Sequence, residues 1–197
     1  MSNTAANLMS LEDFLLWERE QPERYEYAGG VATMMTGGSL DHSTIASNLW
    51  TALRDKLRRG PCRAFRGDTK IVANESVRYP DLSVTCTPVR GADDTVLEPV
   101  LMIEVVSPST EREDRGRKKF NYFRTASIQQ YAILEQDVRR VDLYTRSGDR
   151  WTDEMMEGAA TLKLLSIGVE IGLDAIYEDT DLDATRLREG ERRVPAS

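Results

Sequence analysis

Glu104 stands inside Leu101-Met102-Ile103-Glu104-Val105-Val106, an otherwise apolar run. Burying an unpaired carboxylate costs several kcal/mol even after relaxation, so something must compensate it. In a strand, side chains alternate between faces, which puts Glu104 with Met102 and Val106 and turns Ile103 and Val105 the other way. A cation on that first face is the natural compensation. Asp81 follows Pro80 in the preceding β-prone segment, so if the two strands are neighbours in one sheet, both carboxylates converge at one edge.

Two carboxylates held close together repel and raise the pKa of at least one of them, unless a metal ion neutralises both. Mg²⁺ suits such a pair. It takes oxygen ligands, needs only one or two protein carboxylates and retains waters that can act as nucleophile; Mn²⁺ can substitute. The expected metal ligands are Asp81 and Glu104, with the Val105 carbonyl completing the protein's share.

A phosphoester also needs a positive charge nearby. Asp114 and Lys118 stand four residues apart on the helix expected after Glu104, and the short Ser107-Pro108-Ser109 link keeps its first turns near that strand end. Lys118 is thereby expected to reach the reacting phosphate or water. On an exposed helix the same spacing makes only a surface ion pair worth about 0.3 to 0.5 kcal/mol. His42, the single histidine, lies at the start of another helix between Asp41 and Ser43, where a histidine is more often a cap neighbour than a base. Glu26, between Tyr25 and Tyr27, repeats the Glu104 problem in weaker form, since a carboxylate on an edge hairpin usually faces water.

Competing chemistries lack their residues. The chain carries no GxSxG, HExxH, P-loop or helix-opening GxGxxG motif. Cys62 and Cys86 form no CxxC unit and have no histidine nearby to suggest zinc; two buried free thiols are expected, a disulfide being allowed by the count but disfavoured by a reducing cytosol.

The 197 residues are 40% hydrophobic and 30% charged, as in ordinary globular domains. Residues 1–180 read as one domain and residues 181–197 as a poorly ordered tail. No apolar run approaches the roughly 20 residues of a membrane helix, and no secretory signal is readable, so a cytoplasmic protein is expected. The net charge of −7 disfavours a nucleic-acid partner taken alone, but the charge is unevenly spread. Between Arg54 and Lys70 seven basic residues meet two acids, whereas Asp153 to Asp183 carries nine acids and only Lys163. Arg58, Arg59, Arg63, Arg66 and Lys70 are the candidates for contacts to a nucleic-acid backbone; a solvated helix face is the plainer alternative.

The elements that must position these residues are legible in outline. Ser10 caps a helix running to about Gln21, and Ala28-Gly29-Gly30 joins two strands as a hairpin. Ile45, Leu49, Leu53 and Leu57 mark an amphipathic helix that stops at Gly60-Pro61. Strands follow at about 62–65, 70–73, 80–87 and 100–107. The Thr110-Glu111-Arg112-Glu113 capping box opens a helix to about Arg124, with Phe120 and Phe123 packed inward. Strands at about 130–134, 138–145, 151–156 and 161–165 and a last turn at 173–177 complete an α/β (α+β) chain with a mixed central sheet flanked by helices.

Tyr79-Pro80-Asp81, then Glu104-Val105-Val106-Ser107-Pro108-Ser109-Thr110, then Asp114, Lys118 and Tyr122 resemble the Uma family of restriction endonucleases, a branch of the PD-(D/E)xK nuclease superfamily. The likeness spans Leu11 to Tyr177 and takes in Glu26 to Gly30, His42 and Gln130 to Leu134. It implies a restriction-endonuclease-like core and a Mg²⁺- or Mn²⁺-dependent DNA endonuclease with Asp81, Glu104 and Lys118 catalytic and Glu26, His42 and Asp114 in support. Val106 stands where the superfamily has its lysine, and Lys118 on the following helix is the matching replacement. A homodimer would suit the cutting of two antiparallel strands. The alternatives are a nuclease for RNA or branched DNA, and an inactive nucleic-acid- or protein-binding module on the same fold.

Overall fold

A computed structural model describes residues 8–35, 37–107 and 110–183. Helix α1 (Leu11–Glu18) begins where Ser10 accepts from the Asp13 N–H, and ends sooner than its apolar pattern suggests. Strands β1 (Tyr25–Ala28) and β2 (Val31–Met34) form the expected hairpin, turned by Gly29 and Gly30 at φ 59° and 84°. Only glycine takes two such left-handed positions readily. Helix α2 (Leu40–Leu57) follows and buries Ile45, Leu49, Leu53 and Leu57.

Seven strands then precede and follow the second half of the core: β3 (Arg63–Arg66), β4 (Lys70–Ala73), β5 (Ser76–Arg78), β6 (Leu82–Thr85), β7 (Thr95–Val96), β8 (Pro99–Val106) and β9 (Gln130–Glu135). Between β8 and β9 lie helix α3 (Glu111–Glu113), a π-helical turn (Asp114–Lys118) and helix α4 (Lys119–Arg124). The chain continues through β10 (Arg140–Ser147), β11 (Arg150–Glu157), β12 (Thr161–Leu164), β13 (Val169–Gly172) and α5 (Leu173–Ile176).

The central sheet has the order β11-β10-β9-β8-β6-β3. It is mixed: β8 and β9 run parallel and their other neighbours antiparallel. A parallel pair needs a long crossover, and here the helical segment 111–124 makes it. A second sheet, β2-β1-β5-β4-β7, holds the hairpin, and β12-β13 form a separate pair.

Alternation along β8 divides the interior. Leu101, Ile103 and Val105 join α2, β12, β13 and α5 in the main core, whereas Met102 and Val106 face Tyr122, Tyr131 and the second sheet. Glu104 shares the latter face, as its position in the strand requires.

Several expectations need correction. Cys62 and Cys86 are not free thiols but a disulfide. Antiparallel pairing of Arg63 with Thr85 brings the residues just outside that pair opposite each other, a proximity that 24 positions of sequence hide. Phe120 is 54% exposed instead of packed inward. The inner face of its helix belongs to Asp114, Lys118, Asn121 and Tyr122, and Phe120 lies two residues from both Lys118 and Tyr122, about 200° around an α-helix. Thr110 precedes the helix without a side-chain capping bond to it and instead accepts from the Ser107 N–H. Strands β5, β7 and β13 were not legible in the sequence. Residues 184–197 of the expected tail lie outside the described residues, and among the described residues no helix is long and apolar enough to cross a membrane.

Candidate active site

Strand β6 begins only after Pro80, and its ladder to β8 starts with Leu82 opposite Ile103. One step beyond, Asp81 occupies the register position facing Glu104. The ladder has ended there, so the Val105 N–H finds no backbone carbonyl on β6, and Asp81 Oδ2 accepts it instead at 2.7 Å. The acid's place is thus set by the sheet itself, at the mouth of a cavity of about 600 Å³.

Glu104 sits deeper, 3% exposed. Its Oε1 accepts from the Tyr122 hydroxyl at 2.8 Å and lies 3.2 Å from Lys118 Nζ. Burial is the main reason its carboxyl is held well above the ordinary glutamate value; Lys118 opposes this, while Asp114, Asp81 and Glu26 add to it. Asp114 is raised for the same leading reason.

Lys118 is not part of a surface pair. Its Nζ lies 2.9 Å from Asp114 Oδ1, 3.2 Å from Glu104 Oε1 and 3.4 Å from Glu26 Oε1, with the side chain 11% exposed. The π-helical turn contains both Asp114 and Lys118, and such single turns inside helices recur at functional sites. The lysine's burial alone would favour the neutral amine, but the three surrounding carboxylates more than reverse that and hold it firmly protonated.

Glu26 does not face water either. Strand β1 pairs with β5 at Tyr27 and Val77, which sets Glu26 beside Arg78. Arg78 Nη1 donates to Glu26 Oε2 at 2.8 Å and the Tyr79 N–H to Oε1 at 3.3 Å. The guanidinium of Arg78 is buried and also lies 3.1 Å from Glu113.

His42 combines both readings of its position. Its backbone N–H donates to Ser39 Oγ, the N-cap of α2, while its ring Nε2 lies 3.1 Å from Asp81 Oδ1. The hydrogen bond to Asp81 is the leading reason its pKa is raised. The loop before α2 passes so close that a Cβ on Gly38 would meet His42 Nδ1 at 2.6 Å, which only glycine avoids.

Sequence reasoning left three contributors without a role. Tyr122 enters the sequence reading only through the family resemblance, and its hydrogen bond to Glu104 is visible in the structure alone. Arg78 and Gln136, which accepts from Ser39 at 2.9 Å beside the cavity, carry no local signal.

Five carboxylates, Glu26, Asp81, Glu104, Glu113 and Asp114, line this cavity against Lys118 and His42. Even with Arg78 behind them, negative charge is in excess. A divalent cation would offset that excess, and Asp81 and Glu104, with Val105 also on the wall, are the groups whose oxygens could hold one. Among the described residues no three His, Cys, Asp or Glu side chains are grouped as metal ligands. Two carboxylates plus waters suit Mg²⁺ or Mn²⁺ and do not suit zinc, which takes a fuller set of nitrogen and sulfur donors.

The basic tract is divided by the fold. Arg58 and Arg59 follow α2 and are exposed, with Arg58 2.9 Å from Asp55. Arg63 and Arg66 are exposed on the edge strand β3. Lys70 drops out as a backbone contact. It is 3% exposed and ion-paired with Glu18 at 2.9 Å and Asp94 at 3.0 Å, so its charge is already engaged inside the second sheet.

Residues 11–175 match the model of the Uma2 family, whose description reads "Putative restriction endonuclease". The uncharacterized protein slr1290 of Synechocystis sp. is 36% identical over 173 residues, covering 86% of this chain and 91% of its own length. A second uncharacterized protein of that organism, sll1609, is 29% identical over 161 residues, covering 77% and 90%. The crystal structure of "a putative nuclease belonging to DUF820" from Anabaena variabilis superposes with a TM-score of 0.72 at 17% identity, over 86% of this chain and 97% of that one. That likeness establishes a shared mixed α+β fold. With the family model matched across nearly the whole described chain, this protein belongs to the Uma2 family.

Proposed function

We propose that the protein is a Mg²⁺- or Mn²⁺-dependent endonuclease that hydrolyses DNA phosphodiester bonds. The observation that carries this reading is the meeting of Asp81, Glu104 and Lys118 in one cavity with an excess of carboxylates over cations. Family membership supports it.

When bound, a divalent ion supplies an acidified water and neutralises charge developing on the phosphate. Asp81 and Glu104 would hold that ion. The Val105 N–H fixes the orientation of Asp81, and the Tyr122 hydroxyl fixes that of Glu104, so neither carboxylate has to reorganise during reaction. Lys118 keeps its proton among Asp114, Glu104 and Glu26, and presents a fixed positive charge to a phosphate oxygen. Asp114 and Glu26 hold that ammonium in place, and Arg78 holds Glu26. His42, whose pKa the hydrogen bond to Asp81 raises, can donate a proton at the cavity mouth as imidazolium and take one back as imidazole.

The test pairs DNA cleavage with thermal melting. Wild-type protein is expected to cut DNA only with Mg²⁺ or Mn²⁺ and to melt higher in their presence, since a ligand at 100 times its Kd stabilises by about 2.7 kcal/mol. Asp81→Ala should lose both effects. Equal cleavage by wild type and Asp81→Ala refutes the assignment. A chain that binds DNA but neither cuts it nor responds to metal is instead the inactive binding module, and cleavage of RNA alone would move the substrate class.

A further inference from the structure

The candidate active site carries an excess of carboxylates that a divalent ion would only offset, so cations outside it are needed to draw in and hold the flanking strand. Most arginines near the site are committed to carboxylates: Arg78 to Glu26 and Glu113, Arg115 to Glu111, Glu135 and Asp142, Arg140 to Glu135. Arg54 and Arg66 differ. Both are exposed, and neither makes an ion pair among the described residues. Each guanidinium rests over the ring of Trp50, Arg54 at 5.1 Å and Arg66 at 5.5 Å from its centroid. A cation–π contact orients a guanidinium without using up its N–H groups, which stay available to phosphate oxygens. Among the described residues the Arg66 guanidinium has one further hydrogen-bond contact, to Ser47 Oγ, long at 3.5 Å.

Their placement points toward the site. Arg66 pairs with Leu82 across the β3–β6 ladder, one residue from Asp81, and a Cβ on Gly67 would lie 3.5 Å from the Pro80 carbonyl oxygen. Along α2, Trp50 and Arg54 lie eight and twelve residues beyond His42, about 12 and 18 Å at 1.5 Å per residue. A strip therefore runs from the Asp81 end of β6 through Arg66 to Trp50 and Arg54, which are turned about 80° and 120° around α2 from His42.

We propose that Trp50, Arg54 and Arg66 form the platform that grips the sugar-phosphate backbone of the DNA strand next to the scissile bond. This rests on the nuclease reading and deepens it by naming the surface that holds the substrate. Of the tract expected from sequence it keeps Arg66 and adds Trp50 and Arg54, whereas Lys70 is buried and Arg63 lies on the strand face shared with Phe65, away from α2.

The experiment is binding of a fluorescein-labelled DNA duplex by anisotropy, with Ca²⁺ replacing Mg²⁺ and with salt varied. Arg54→Gln with Arg66→Gln should weaken binding tenfold or more and lower the slope of log K against log salt by about two, near 0.9 for each lost phosphate contact. Arg63→Gln should leave the slope unchanged, and circular dichroism verifies that each variant is folded. A wild type that binds and cuts DNA while the double variant binds with the same affinity and slope overturns the platform alone. A slope lowered equally by Arg63→Gln also overturns it, because the charge would then act without regard to place. A wild type that neither binds nor cuts DNA overturns the nuclease reading, and the platform with it.

Discussion

Asp81 Oδ2 accepts the backbone N–H of Val105 at 2.7 Å, which fastens it one residue from Glu104 where the β6–β8 ladder ends. A strand end is a suitable place for such a pair. The ladder is rigid enough to set two side chains, and its vacant N–H orients one of them at the rim of a cavity.

That arrangement costs stability at neutral pH in the absence of metal. Burial holds the Glu104 carboxyl well above its ordinary value of 4.5, so the folded chain binds that proton more tightly than the unfolded chain. The resulting stability is fully present below about pH 4.5 and is lost as pH rises toward the folded value, by up to ~1.4 kcal/mol per pH unit for one proton. His42 acts in the same sense above its ordinary 6.5, because Asp81 raises it. Urea unfolding in chelator should therefore show stability falling from mild acid to pH 8. Glu104→Gln is expected to flatten the fall and to be the more stable protein at pH 7; identical pH curves for the two proteins would count against this charge balance.

Lys118 is the cation on which three carboxylates converge. Lys118→Met leaves Glu26, Glu104 and Asp114 facing one another, and removing one partner of a buried ion pair costs about 3 to 5 kcal/mol. Adding Glu104→Gln to Lys118→Met should restore part of that loss, because the two groups touch and their effects are not additive. Unfolding of the two single variants and the double variant measures the coupling. A loss under ~0.5 kcal/mol for Lys118→Met would mean that the lysine sits in solvent instead.

The bridge between Cys62 and Cys86 closes a loop with 24 positions between its ends. Loop-closure entropy makes such a bridge worth about 3 kcal/mol. Dithiothreitol should lower the melting temperature, and alkylation of the unfolded chain should label neither cysteine before reduction and both after it. Full labelling without reductant would show that the thiols are free.

Much of the site was legible because its signals are local. A carboxylate in an apolar strand, the alternation that sends Glu104 with Met102 and Val106, and a lysine four residues beyond Asp114 all depend on neighbours in the chain. The Asp81–Glu104 relation needed one long-range fact, that β6 and β8 are adjacent although the short strand β7 between them joins the other sheet.

What the tertiary structure alone decided are the pairings whose partners lie far apart in sequence. Glu26 meets Arg78 because β1 pairs with β5, and Lys118 because the helical segment before β9 packs against that sheet; His42 meets Asp81 because α2 packs on the central sheet beside the start of β6. Lys70 looked like one more exposed cation until Glu18 and Asp94 enclosed it, and the cysteine count allowed a Cys62–Cys86 bridge that only the pairing of β3 with β6 brings about. Periodicity tells which way a side chain turns from its own element. Which group waits there is set by strand order and register, and these follow from burial summed over the whole chain rather than from any local run of residues.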